Sequence, residues 1–183
     1  MKGFSLKRLT LDAVLAALAL IIFILESQIP NLAPVPGMKL GLANIVTVYA
    51  MFALGPLDTI AILLVRIILG SVFAGSVTSF FFSLTGGILC FLVQLLLRKI
   101  LNPKQIFVAG IMGAIAHNAG QMIVALIAFQ SVSVLVYLPF LMVSAVLTGA
   151  LTGLSAQFLL PLAEKARHAM KKDGAGDQGR GES

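Results

Sequence analysis

Residues 77–97 carry no charged side chain at all, and no other stretch so narrows what this chain can fold into. A run of about 20 apolar residues is long enough to cross the hydrocarbon of a bilayer as a helix. In lipid, only helices and closed barrels satisfy their own backbone N–H and C=O groups. Similar charge-poor runs cover residues 9–25, 57–75, 106–129 and 134–162, with a shorter one at 40–54. The spacing predicts an all-α membrane protein, a bundle of about six transmembrane helices in one domain over residues 9–163. Residues 1–8 form an N-terminal arm, and residues 164–183 a charged, partly disordered tail. Composition agrees: 59% of the residues are hydrophobic and 11% charged, against about 25% charged in soluble domains.

The net charge of +6 raises nucleic acid as a partner, but the placement of the charges excludes it. Lys2, Lys7 and Arg8 precede the first run, Arg98, Lys99 and Lys104 sit between the fourth and fifth, and Lys165, Arg167, Lys171 and Lys172 follow the last. The opposite side receives only Lys39. That asymmetry is a topology signal and puts both termini in the cytoplasm. The N-terminus has the look of a signal peptide, but no small-residue cleavage site follows Leu25, so it reads as a retained helix. Cys90 is the sole cysteine, which removes disulfides and cysteine-based metal sites.

Residues 27–39 are the one place where irregular backbone meets the membrane. Pro34, Pro36 and Gly37 break this loop, which then runs through Lys39 and Asn44 into the short second segment. Such backbone must be buried in protein or line a cavity, so the loop reads as the gate of a ligand site. At about 1.5 Å per residue, Arg66, His117 and Asn118 fall near mid-membrane, with Gln121, Ser144, Glu26, Lys39 and Asn44 further out. Gly110, Ala114, His117 and Gln121 share one helix face. Phe80, Met122 and Val143 supply apolar lining. The candidate ligand-binding residues are therefore Lys39, Asn44, Arg66, His117, Asn118, Gln121 and Ser144. Hydroxyls of Ser144, Thr148 and Thr152 also have a plain alternative, bonding back to their own helix. His117 has no cysteine or carboxylate beside it, so no metal site is expected, and no cofactor.

Arg66 is the sharpest single residue. An arginine at mid-bilayer costs at least about 2.5–3.5 kcal/mol on insertion scales and must face the interior with a partner. Two readings stay open: a structural tie to Glu26 or a carbonyl, or an anion-binding arginine beside Lys39 and His117. On the first segment, Ala13, Ala16 and Ala17 form a small-residue face that admits a second helix. That helix belongs either to this bundle or to a partner subunit.

Prenyl or phosphoryl transfer needs clustered carboxylates to hold Mg²⁺. The chain has seven acidic residues, no Asp-rich motif, no P-loop and no nucleophile elbow, so it does not read as an enzyme. Four motifs and a turn, in order, carry a resemblance. They are Pro34-Val35-Pro36-Gly37-Met38-Lys39-Leu40-Gly41-Leu42-Ala43-Asn44-Ile45, the Gly55-Pro56 turn, Leu64-Val65-Arg66-Ile67-Ile68-Leu69-Gly70, Ser83-Leu84-Thr85-Gly86-Gly87 and Gly113-Ala114-Ile115-Ala116-His117-Asn118-Ala119-Gly120-Gln121. With them the chain resembles the Gx transporter family, often labelled heptaprenyl diphosphate synthase component I. It is also similar to the six-helix substrate-binding (S) subunits of energy-coupling factor (ECF) transporters.

The resemblance implies a substrate-binding subunit of an importer in the bacterial cytoplasmic membrane, while Lys39 and Arg66 against the single acid Glu26, in an otherwise apolar cavity, point to a small amphipathic, anionic ligand. It implies a membrane coupling subunit docked on Ala13 and Ala17, with cytoplasmic ATPases below. The alternative is a non-catalytic membrane subunit linked to heptaprenyl diphosphate or quinone synthesis, or to flavin-based extracellular electron transfer.

Overall fold

The computed structural model describes residues 6–28 and 39–178, and among them all regular structure is helical. In chain order the helices are α1 (Leu6–Gln28), α2 (Asn44–Ala53), α3 (Pro56–Ala74), α4 (Val77–Leu97), α5 (Ile106–Phe129) and α6 (Leu138–Gln178). Short 3₁₀ turns at Pro103–Gln105 and Val132–Tyr137 precede α5 and α6. Five of the helices, all but α2, are long and apolar enough to cross a membrane, which makes this a multi-pass membrane protein.

Local chemistry sets the breaks between helices. Gly55 takes φ 121° and hands over to Pro56 at the first turn of α3, where a missing N–H costs no hydrogen bond. The Ser76 side chain caps α4 by accepting from Ser79 N–H at 3.2 Å, satisfying a donor that the helix itself leaves open. Asn102 and Gln105 form a reciprocal capping box ahead of α5.

α5 is the central helix, packed between α4 and α6, while α1 lies on α3 and α2 is wedged against α3 and α6. Small residues permit the close approaches that hold helices together in lipid. A Cβ added at Gly120 would stand 2.8 Å from the Gly86 backbone, and one at Gly153 would stand 2.7 Å from Phe107. Phe82, Met122, Ala125, Val134 and Leu141 fill one end of the α4–α5–α6 interior. At the end where α1 begins, Arg8 makes an ion pair with Asp58 of α3. Asp58 thus serves α1 and not Arg66.

The expected boundaries at 57–75, 77–97 and 106–129 match α3, α4 and α5 to within a residue. Three others need correction. The first helix, expected over 9–25 after an arm at 1–8, begins at Leu6 and takes in Ser27 and Gln28. The second, expected over 40–54, spans Asn44–Ala53 alone, about 15 Å at the helical rise and too short to cross. Its start is delayed because Gly41 sits at φ 83°, a left-handed conformation that no helix continues through. The sixth, expected over 134–162, begins at Leu138 after a 3₁₀ turn and continues to Gln178. Helix therefore runs on past residue 164, where partial disorder was expected. Glu164, Lys165, Ala166 and Arg167 are strong helix formers. The gate residues Pro34, Pro36 and Gly37 lie outside the described residues.

Topology is directly testable, because Cys90 is buried and gives little labelling background. Cysteines placed at Ser27, which is exposed on α1, and at position 183 should label from opposite sides of the membrane. Labelling of both from one side contradicts the cytoplasmic placement of both termini.

Candidate functional site

The segment Lys39–Gly41 enters the bundle between α1, α5 and α6 and is pinned to all three. Its Lys39 N–H donates to Gln121 Oε1 at 3.2 Å, and Gly41 N–H donates to Glu26 Oε1 at 2.5 Å. Thr148 Oγ1 donates to the Leu40 carbonyl at 3.4 Å. Backbone that would otherwise lie unpaired in the membrane is thereby satisfied by side chains from three helices.

Around this segment the predicted polar residues converge. Gln121 uses its oxygen on Lys39, so its Nε2 donates to His117 Nε2 at 2.8 Å. The network thus assigns the imidazole proton to Nδ1. A Cβ on Gly41 would lie 2.8 Å from Asn44 Nδ2 and 3.3 Å from His117 Cδ2, so Asn44 and His117 sit side by side over Gly41. Across α4, positions occupied by Gly86 and Gly87 face His117 Nδ1 (2.8 Å from an added Cβ) and Arg66 Nη2 (3.7 Å). The Phe23 ring holds the cationic side together: Lys39 Nζ lies 3.2 Å from its centroid and Arg66 Cζ 5.9 Å. A cation over an aromatic face is attracted by the ring quadrupole. Burial pushes the Lys39 ammonium down to about 8, with Glu26 pulling it back up and Arg66 pressing it further down.

Burial is nearly complete. Arg66, Asn44 and His117 are each 3% exposed. Yet, among the described residues, Arg66 Nη2, Lys39 Nζ, His117 Nδ1, Asn118 Oδ1 and both amide atoms of Asn44 have no hydrogen-bond partner. A buried polar group left unpaired costs about 1–3 kcal/mol, so these groups mark the cluster out from the rest of the interior. Among the described residues no ion pair joins Arg66 to Glu26, whose carboxylate is taken up by Gly41. Lys39, Asn44, Arg66, His117 and Gln121 form one cluster.

Asn118 and Ser144 lie at its edge, toward α6. Asn118 Nδ2 and Ser144 Oγ both donate to the Leu141 carbonyl, at 2.8 and 2.9 Å. Thr148 and Thr152 also bond back to α6, to the Ser144 and Gly149 carbonyls. The hydroxyl ridge is thus largely used by its own helix. Met122 is buried, but Val143 is 62% exposed and faces away from the interior, which removes it from the lining. Phe80 is half-buried and packs edge-on against Phe81. Ala13 and Ala17 are exposed on α1, whereas Ala16 is buried.

Sequence reasoning missed Phe23 and Gly41. Phe23 lies three residues before Glu26 on α1, and that spacing puts both on one helix face. Gly41 fell inside the second segment expected over 40–54, so its turn ahead of α2 was not foreseen.

A family model described as heptaprenyl diphosphate synthase component I matches residues 15–159. No curated protein and no solved structure matches the chain.

Proposed function

The chain belongs to the heptaprenyl diphosphate synthase component I family, and we propose that it is the membrane-embedded substrate-binding subunit of an ECF-type importer. Its ligand is a small amphipathic molecule with an anionic head. One observation supports this reading: buried polar atoms of Arg66, Lys39, Asn44 and His117, without hydrogen-bond partners among the described residues, gather at one place inside an apolar bundle. Small-molecule sites have this character, a mostly apolar pocket with a few placed polar groups. Arg66 and Lys39 outnumber Glu26, and Glu26 is already bonded to Gly41, so the excess charge favours an anion. The Pro34–Gly37 loop leads into the pinned Lys39–Gly41 segment and acts as the gate. In the orientation given by the positive-inside rule, the cluster lies toward the outer face and both termini are cytoplasmic.

As an importer subunit the chain has no catalytic task. It works with a membrane coupling subunit and cytoplasmic ATPases, and the exposed Ala13 and Ala17 on α1 offer the coupling subunit a small-residue face. The family description favours a second reading, a non-catalytic membrane component of heptaprenyl diphosphate synthesis. Uptake measurements separate the two. Ala13→Leu or Ala17→Leu should abolish uptake while ligand binding persists, because the bulk is added outside the packed interior. Loss of binding in these variants would mean that this face packs within the bundle. Turnover of an allylic diphosphate with Mg²⁺ by the purified chain would overturn the transporter reading.

A further inference from the structure

Among the described residues α1 and α6 make no close approach to each other, whereas the short α2 touches both. An apolar groove of about 350 Å³ runs between them, with α2 as its floor. Leu11, Leu15, Leu18 and Ile22 form one wall, and their spacing of four, three and four puts them on a single face of α1. Ile45 and Tyr49 belong to the floor, Leu159 and Leu162 to the second wall. Ala13 and Ala17 do not line it, so the groove is separate from the small-residue face. From Leu11 to Ile22 it extends about 16 Å at the helical rise, close to the roughly 15 Å of hydrocarbon in one leaflet. Over that length its volume corresponds to a channel roughly 5 Å across, about half the width of a helix with its side chains. A single hydrocarbon chain fits such a channel, and a partner's helix does not.

Charge distinguishes one mouth of the groove. The C-terminal end of α2 meets Arg8 of α1 on one side and packs Phe52 with Leu160 of α6 on the other, so the start of α1 and the far reach of α6 share this mouth. Beyond Leu162 the same helix continues through Lys165, Arg167, Lys171 and Lys172, with Glu164 the sole acid among residues 164–172. Arg8 itself is taken up by Asp58. We propose that the groove holds one acyl chain of an anionic phospholipid, with its phosphate head at the basic stretch that follows Leu162. This is independent of what the Lys39–Arg66 cluster binds. Each Lys or Arg near the membrane surface favours an anionic lipid by roughly fivefold. By the positive-inside rule the lipid belongs to the cytoplasmic leaflet, whose hydrocarbon depth the groove matches.

Tyrosine fluorescence reports the occupant, because the chain has no tryptophan and two tyrosines, of which Tyr49 lines the groove. With Tyr137→Phe in the full-length chain, reconstituted in phosphatidylcholine bilayers, Tyr49 is the sole emitter. Phosphatidylglycerol brominated on its acyl chains should quench Tyr49 at a mole fraction at least about tenfold lower than brominated phosphatidylcholine does, as two cations at the mouth predict. Lys165→Gln combined with Arg167→Gln should abolish that preference and leave quenching by brominated phosphatidylcholine in place. Equal quenching by the two lipids overturns the inference, and it is the result expected of a groove that meets only bulk lipid or is kept for a partner's helix. A preference that survives the double substitution also overturns it, since the head is then not held at α6. The two lipids can be compared on the unaltered chain as well, so equal quenching there overturns the inference even if a variant fails to fold.

Discussion

Arg66→Lys is expected to weaken binding of a carboxylate such as benzoate by at least about tenfold, since a hydrogen bond to a charged group is worth about 1.5–3 kcal/mol. Lysine keeps the charge but loses the planar fork, which holds a carboxylate or phosphate through two parallel bonds. The site makes that loss hard to repair. Arg66 is 3% exposed and, among the described residues, its Nη2 faces the Gly87 position without a hydrogen-bond partner, so a shorter-reaching ammonium lies out of contact with bulk water. The competing account makes Arg66 a structural tie to Glu26. It predicts that Arg66→Lys and Glu26→Gln both lower the melting temperature of the ligand-free chain and leave affinity alone. The Glu26 carboxylate is bonded to Gly41 N–H, so Glu26→Gln should act by loosening the Lys39–Gly41 segment.

Gly110→Val should have the largest effect on folding. Gly110 lies where α5 crosses α6, and a Cβ there would come within 2.5 Å of Gly153 Cα and 2.7 Å of its backbone nitrogen. The obstruction is backbone, so no rotamer change relieves it, and the helices must separate. Overpacking a tight interior typically costs about 1–3 kcal/mol and occasionally more. The position lies about one turn into α5, on the α5–α6 seam, and membrane helices depend on close packing for their association. Detergent-solubilised Gly110→Val should give a much lower melting temperature or no monodisperse protein. A variant that purifies with unchanged melting temperature would mean that α5 and α6 do not cross as described.

Helical segments were legible in the sequence where the signal was physical and local. The charge-free run at 77–97 coincides with α4, and the Gly55-Pro56 and Asn102-Pro103 breaks set the starts of α3 and α5. The start of α2 was less legible, because residues 40–43 are as apolar as the helix that follows. What delays the helix is the backbone at Gly41 (φ 83°), which the Glu26 carboxylate holds from another helix. The site was legible as a set of costly polar residues at similar depth, but depth does not tell which atoms meet. Lys39, Asn44, Arg66, His117 and Gln121 do converge, whereas Ser144 gives its hydroxyl to its own helix. Val143 turns outward, since its neighbours Ser144 and Ala145 leave it on the exposed side of α6. Phe23 escaped notice because nothing in an apolar run marks one phenylalanine as the ring on which two cations rest.

The central claim is that the unpartnered cluster holds a small anionic molecule, and native mass spectrometry of the protein released from mild detergent tests it most directly. The wild-type chain should carry a bound small molecule of negative charge, and the same preparation of Arg66→Ala should lack it while keeping its fold. An adduct of equal occupancy in both proteins, or none in either after gentle extraction from cells, would contradict the assignment of this cluster as the binding site.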